Sequence, residues 1–338
     1  MAIDVRAALM RITAGDHLTR EETEDLFGQL MDGQVSETMK AALLVALRMK
    51  GEAVAEISGA AAAMRRRSIP IPHQRQGLVD TCGTGGDGRG TFNISTAAAL
   101  VAAAAGAAVA KHGNRSVSSR SGSADVLAAL GVKIEIDPET AGRTLDAVGI
   151  TFLFAPLLHP AMREVMPVRR ELGMRTIFNL LGPLTNPAGA RRQLMGVYME
   201  SLVEPIGYVL RDLGAEHAMV VHGDGLDEIT TTGRTRVAEV RNGEVQIYDL
   251  EPERFGLRRA GHEELAGGTP EENAAAVRRV FAGEDAGALF DVTALNAGAA
   301  LYVGGAAATL EDGVEKARAT LASGAAAGKL EELRSFAG

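Results

Sequence analysis

The sequence predicts an α/β protein in two parts: a small N-terminal all-helical domain, and a larger α/β domain with a mixed, mostly parallel sheet flanked by helices. Three observations predict it. Apolar residues over the first ~70 positions recur on the 3.6-residue helical period. Pro70 and Pro72 then punctuate the chain. Beyond them short apolar strands alternate with helices, the pattern of a sheet built from strand–helix units. The division falls at residue 72, giving 1–72 and 73–338, with part of 157–190 joining the helical domain.

Each element has its own reason. Thr19-Arg20-Glu21-Glu22 is a capping box opening a helix through Leu30. Residues 36–49 are amphipathic, with Met39, Leu43, Leu44 and Leu47 on one face, and Gly51 closes that helix. Residues 53–64 form the next helix and end in Arg65-Arg66-Arg67, a basic run that reads as a solvated helix C-terminus offsetting the macrodipole. After the prolines, 77–82 is a strand, 97–105 a helix and 107–111 a buried strand. A polar loop then covers 111–119, and a helix starts near Ser123. Residues 132–136, 150–154, 194–199, 218–222 and 245–248 are further strands. Residues 157–184, rich in proline and arginine, break the alternation and read as an excursion back to the helical domain. Thr269-Pro270-Glu271-Glu272 opens a helix with a capping box and proline at its first position. The alanine-rich helices 291–302 and 310–322 cover the sheet.

Bulk composition excludes several classes. Net charge is −8 and aromatic content 4% with no tryptophan, which argues against non-specific nucleic-acid binding and base-stacking modules. Cys82 is the one cysteine, so no internal disulfide forms and a reducing, cytoplasmic setting is expected. No signal peptide is read at the N-terminus. The longest apolar stretch, 97–110, is mostly alanine and falls short of the roughly 20 residues that span a bilayer.

The chemistry starts at residues 83–96, Gly83-Thr84-Gly85-Gly86-Asp87-Gly88-Arg89-Gly90-Thr91-Phe92-Asn93-Ile94-Ser95-Thr96. Bare backbone N–H groups followed by a helix start suit an anion. Gly83-x-Gly85-x-x-Gly88 also satisfies the dinucleotide fingerprint by letter. That fingerprint needs an acid about 20 residues on, and no Asp or Glu occurs from Gly88 to Ala124. The charged residues there are Arg89, Lys111, Arg115 and Arg120, which suit a more anionic ligand. No Gly-Lys-Ser/Thr follows, so the P-loop reading fails as well.

The seven histidines lack metal-site spacing, which leaves hard oxygen ligands. Asp227 and Glu228 follow a buried strand and suit Mg²⁺ bridged to a polyphosphate. Taken alone, an acidic surface turn is the commoner meaning of such a pair. Ser95 is a hydroxyl ligand or an N-cap. His112 is a base or a structural hydrogen-bonder, and Lys111 and Arg115 are phosphate counter-charges or a surface face. Arg169 grips a carboxylate or pairs with Glu171 or Glu164. Spacing alone leaves these alternatives open.

The ordered set of motifs resembles the anthranilate phosphoribosyltransferases of tryptophan biosynthesis. It comprises Gly83-Thr84-Gly85-Gly86-Asp87, Asn93-Ile94-Ser95-Thr96, the run from Lys111 to Ser119, Val168-Arg169, Leu181-Gly182-Pro183-Leu184-Thr185-Asn186-Pro187 and Asp227-Glu228. The set covers nearly the whole chain. The resemblance implies transfer of the phosphoribosyl group of phosphoribosyl pyrophosphate (PRPP) to anthranilate, with two Mg²⁺ ions, in a homodimer formed through helices. It implies PRPP binding by Gly83, Gly86, Asp87, Thr91, Asn93, Ile94, Ser95 and Thr96. The same holds for Lys111, His112, Gly113, Asn114, Arg115, Ser116, Val117, Ser118, Ser119 and Ser123. It implies anthranilate contacts from Gly83, Asn114 and Arg169, and Mg²⁺ ligands from Ser95, Asp227 and Glu228. No general base is assigned. The pyrimidine nucleoside phosphorylases share the fold but need no metal pair, so Asp227-Glu228 favours the transferase.

Overall fold

Four helices open the chain in the computed structural model, which describes residues 3–116, 120–284 and 286–337. They are α1 (Val5–Thr13), α2 (Arg20–Met31), α3 (Glu37–Lys50) and α4 (Val54–Arg65). The capping box forms: the Glu22 N–H donates to Thr19 Oγ1, and the Thr19 N–H donates to Glu22 Oε2 at 2.8 Å. Gly51 ends α3 at φ +87°, where a side chain would be strained.

Seven strands follow: β1 (Val79–Asp80), β2 (Val109–Gly113), β3 (Ile150–Phe154), β4 (Arg192–Gly196), β5 (His217–Gly223), β6 (Thr235–Arg241) and β7 (Glu244–Leu250). They build one sheet in the order β3-β2-β1-β4-β5-β6-β7. The first five run parallel, and β6 and β7 are antiparallel. The expected mixed, mostly parallel sheet is therefore present. Strand order reverses between β1 and β4, the switch point where open α/β sheets hold ligands.

The remaining helices are α5 (Ile94–Ala104), α6 (Ser123–Ala129), α7 (Pro138–Val148), α8 (Ala155–Leu158), α9 (Met166–Leu172), α10 (Phe178–Leu181), α11 (Val203–Asp212), α12 (Pro270–Phe281), α13 (Ala288–Gly304), α14 (Leu310–Ala322) and α15 (Ala325–Ala337). Side chains of β5 alternate between two cores, as the strand period requires. Met219 and Val221 pack with α5, α12, α13, α14 and α15 on one face. Ala218 and Val220 pack on the other face with α11 and the α1–α4 bundle. Val168 of α9, with Phe178 and Leu181 of α10, joins this second core, and the Phe27 and Phe178 rings lie 5.5 Å apart. Residues 157–184 thus return to the helical bundle. Among the described residues no helix is long and apolar enough to cross a membrane.

Several expected elements shift. Residues 132–136 form no strand. Val132 and Ile134 bury themselves while Lys133 and Glu135 stay exposed, but the segment pairs with no neighbour. The second strand runs two residues further than expected, so His112 and Gly113 lie in β2 rather than in the loop. Strand β6 and helices α7, α11 and α15 add to the elements expected from the sequence. The basic run 65–67 is not simply solvated. Arg65 is largely desolvated and donates to the carbonyls of Leu184 and Leu213, while Arg66 pairs with Glu24 and Arg67 with Asp32.

Candidate active site

The glycine loop leaves β1 at the switch point and packs, backbone on backbone, against the ends of β4 and β5. A Cβ added to Gly83 would lie 2.9 Å from Asp227 Oδ2 and 3.1 Å from the Gly196 carbonyl. A Cβ on Gly196 would meet the Asp227 carbonyl at 1.5 Å. Two glycines therefore let three strand ends converge. The Thr84 N–H donates to the Gly196 carbonyl at 2.9 Å, and the Gly85 N–H donates to Asp227 Oδ2 at 2.7 Å. Thr91 then bridges Ala266, and the Gly267 N–H donates to the Gly90 carbonyl. The loop is anchored at both ends. Between them the N–H groups of Gly86, Asp87 and Gly88 take no partner among the described residues. Helix α5 begins just beyond, so these donors and a helix N-terminus share one side of the sheet.

Acids gather on the same spot. The Asp227 N–H donates to Asp87 Oδ2 at 3.4 Å, and the Ser95 N–H to Glu228 Oε1 at 3.1 Å. Burial pushes the Asp227 carboxyl up, and the nearby Asp87 charge pushes it further. Burial and then the Asp227 charge do the same to Glu228, against a smaller pull from Lys111. Negative charge is thus in surplus, and hard carboxylate oxygens in that state suit a divalent cation such as Mg²⁺. Ser95 is not the N-cap; Asn93 holds that position. Ser95 Oγ takes no partner among the described residues, which leaves it available beside Glu228.

A second acidic group does not fit a metal. Asp80, Cys82 and His112 place ligand atoms within 4.8 Å of one another. Their atoms are already engaged. Asp80 accepts from the His112 N–H at 3.1 Å and from Asn186 Nδ2 at 2.7 Å. Burial raises its pKa to about 6, against the pull of Lys111 and Asn186. The same burial pushes the Cys82 thiol up, keeping it protonated. This is a buried polar hub under the glycine loop.

The expected binding residues divide by burial. Lys111 is 3% exposed, and its Nζ donates to the Thr81 carbonyl and Oγ1. It acts on the carboxylates from below. His112 is 2% exposed; its Nδ1 meets the Gly182 carbonyl at 3.1 Å and its Nε2 meets His159 Nε2 at 3.2 Å. Burial, His159 and Lys111 hold His112 near pKa 3, and burial holds His159 near 4. Both rings are neutral at pH 7. Ile94 and Thr96 are buried, so only their backbone can face a ligand. Gly113 lies at the end of β2 with no room for a side chain beside Ser123 and Phe152. Asn114 is exposed; its carbonyl accepts from Ser123 Oγ and the Ala124 N–H. Arg115 pairs with Asp125 and Glu135, and the Ser116 N–H donates to Asp125. Val117, Ser118 and Ser119 lie outside the described residues.

Arg169 sits on α9 with its guanidinium 5.5 Å from the centre of the Phe178 ring. It forms no ion pair with Glu171 or Glu164, and Glu164 instead lies 4.0 Å from Lys40. Burial lowers its pKa, the mark of a cation without a counter-charge. No direct bond joins Gly83, Asn114 and Arg169. The link is indirect: His112, two residues before Asn114, binds Gly182 and His159 of the excursion that carries Arg169. Sequence reasoning missed Gly196, His159, Arg175 and the Asp80–Asn186 bond. Gly182-Pro183-Leu184-Thr185-Asn186-Pro187 was the available signal for the last of these.

Two family models match the chain: the a/b domain of a glycosyl transferase family over residues 75–327, and the helical bundle domain of such a family over residues 6–68. They define a glycosyl transferase built from a helical bundle and an α/β domain. The anthranilate phosphoribosyltransferase of Anaeromyxobacter sp. (strain K) is 54% identical over 97% of this chain and 97% of its own. The solved structure of anthranilate phosphoribosyltransferase from Thermus thermophilus superposes with a TM-score of 0.93 at 51% identity, covering 98% of this chain and 99% of that one. That from Saccharomyces cerevisiae, in complex with PRPP and Mg, gives 0.90 at 26% identity, covering 98% and 97%. The chain belongs to this glycosyl transferase family, among the anthranilate phosphoribosyltransferases.

Proposed function

We propose that this chain joins PRPP to anthranilate, giving N-(5-phosphoribosyl)anthranilate and pyrophosphate, the transfer used in tryptophan biosynthesis. The observation that carries this reading is the meeting, at the β1/β4 switch point, of Asp227 and Glu228 with a loop whose Gly86, Asp87 and Gly88 N–H groups take no partner among the described residues. Donors for a diphosphate and carboxylates for its cation share one place. The relatives' names and the PRPP and Mg found on the yeast enzyme support the same substrates.

Loop residues Gly83, Gly86, Asp87 and Thr91 and the start of α5, Asn93 to Thr96, would hold the diphosphate. The loop after β2, through Asn114, Arg115, Ser116 and Ser123, would close over the ribose phosphate, with Lys111, His112 and Gly113 supporting it. Asp227, Glu228 and Ser95 would hold two Mg²⁺ ions, which when bound neutralise the departing pyrophosphate. Arg169 answers the anthranilate carboxylate bidentately, and with Gly83 and Asn114 aims the amine at the ribose C1. Positive charge grows on the sugar as the leaving group departs, so fixed donors and positioning supply the rate. The neutral His112–His159 pair provides shape rather than a base.

We also propose the domain division at residue 72, a cytoplasmic setting, and a homodimer through the helical bundle. Exposed Met10 on α1 and Met49 on α3, 72% and 82% accessible, support that face. Substrate choice tests the function. Pyrophosphate release from PRPP plus anthranilate supports it. Phosphorolysis of thymidine, without PRPP turnover, would make the chain a nucleoside phosphorylase.

A further inference from the structure

Arg175 lies three residues beyond α9, on the segment that also carries Arg169. It is exposed and forms no ion pair among the described residues. Its guanidinium instead holds the glycine loop directly and by way of Tyr198. One nitrogen donates to the Gly86 carbonyl. The guanidinium carbon also lies over the Tyr198 ring, 4.2 Å from its centre, and the Tyr198 N–H donates to Thr84 Oγ1 at 3.0 Å. Gly86 itself stands at φ +79°, a conformation with little intrinsic preference to persist in an exposed glycine run.

The bond to Gly86 has a directional consequence. In a trans peptide the carbonyl and the following N–H point in opposite directions. Holding the Gly86 carbonyl toward Arg175 turns the Asp87 N–H the other way, where it meets no partner among the described residues. A loop with four positive-φ glycines has many alternative peptide orientations. Arg175 removes those that would hide this donor.

We propose that Arg175 is a positioning residue: it holds the glycine loop in its diphosphate-binding shape, from the segment that binds the other substrate. The proposal rests on the phosphoribosyl-transfer reading for its kinetic consequence, but its structural consequence stands alone. On this reading Arg175 acts through the loop rather than on a substrate. Its loss therefore weakens PRPP binding through the loop and leaves the anthranilate contacts of Arg169 in place.

The test has two arms on the full-length protein. Hydrogen–deuterium exchange of residues 83–91 is measured without ligand in the wild type, Arg175→Met, which keeps the length without the donor, and Arg175→Lys, which keeps a donor without the planar guanidinium. Exchange rises in Arg175→Met and less in Arg175→Lys, while the melting temperature stays within a few degrees. In steady-state assays Arg175→Met raises the PRPP KM about tenfold, the scale of one charge-assisted hydrogen bond. The kcat and the anthranilate KM change little, and Arg175→Lys recovers part of the loss. Unchanged exchange, or equal changes in both KM values, overturns the proposal. A wild type that does not turn over PRPP overturns the functional reading, and the exchange arm still decides the role of Arg175.

Discussion

Asp227 and Glu228 bring more negative charge to the switch point than the surrounding side chains balance. An acid whose pKa is raised by folding destabilises the fold wherever it is ionised. The paired change Asp227→Asn with Glu228→Gln should therefore abolish Mg²⁺-dependent turnover while leaving the metal-free melting temperature equal or higher. Turnover with unchanged Mg²⁺ dependence would refute the metal assignment. Arg169 is the converse, a half-buried cation lacking an acid. Arg169→Ala should raise the anthranilate KM by roughly 10–100-fold, as loss of a charged bidentate contact does. The PRPP KM should move far less, and equal effects on both would remove Arg169 from the anthranilate site. Residue types suggest the proposed roles, but not the partners these side chains find in the fold. Nothing in the sequence says that Asp87 reaches Asp227, or that Arg169 avoids both nearby glutamates.

At the scale of elements, legibility followed local chemistry. Helix α2 was readable because its cap is complete within four residues, and helix α14 was read at its observed bounds. Strand β2 runs past its expected end at Lys111 because a lysine followed by a histidine looks like the point where a strand gives way to a loop. Asp80, Thr81 and Gly182, all distant in sequence, satisfy them inside the sheet. Residues 132–136 show the opposite error, since alternation guarantees one buried face but no pairing partner. The β6–β7 hairpin did carry a signal. Asn242 and Gly243 form its two-residue turn at φ +54° and +80°, the Asn-Gly arrangement that favours hairpins.

Away from the site, that hairpin joins β5 and α13 in a partly buried polar network. Glu239 accepts from His217 at 2.8 Å, Tyr248 at 2.6 Å and Tyr302 at 2.8 Å. Burial pushes Glu239 up, but these donors more than reverse it and hold its pKa at about 2, below the ordinary 4.5. A depressed folded pKa stabilises above the unfolded value, and the effect is lost as pH falls from 4.5 toward about 2. Glu239→Gln should lower stability at pH 7 by about 1–3 kcal/mol. The gap from wild type should close in urea melts at acid pH. A constant gap between pH 7 and pH 3 would contradict this.

Across the whole molecule, the two largest cores meet at one sheet, and the candidate site lies on their seam. One core carries the glycine loop through α5; the other carries Arg169 through α9 and the helical bundle. Lys40 of α3 ties bundle to excursion by donating to the Glu164 carbonyl at 2.5 Å. The division into bundle and α/β domain was legible because helical and strand periods separate at the prolines. The seam was not, since it depends on which sheet face each domain covers. The architecture brings a glycine loop and an arginine without an acidic partner to the same sheet, the arrangement a two-substrate transfer needs. The direct measurement is anthranilate fluorescence in the presence of the protein, PRPP and Mg²⁺. A two-substrate transfer gives a steady loss of anthranilate signal, matched one to one by pyrophosphate and stopped by chelating the metal. Stable fluorescence with folded protein and both substrates present would contradict it.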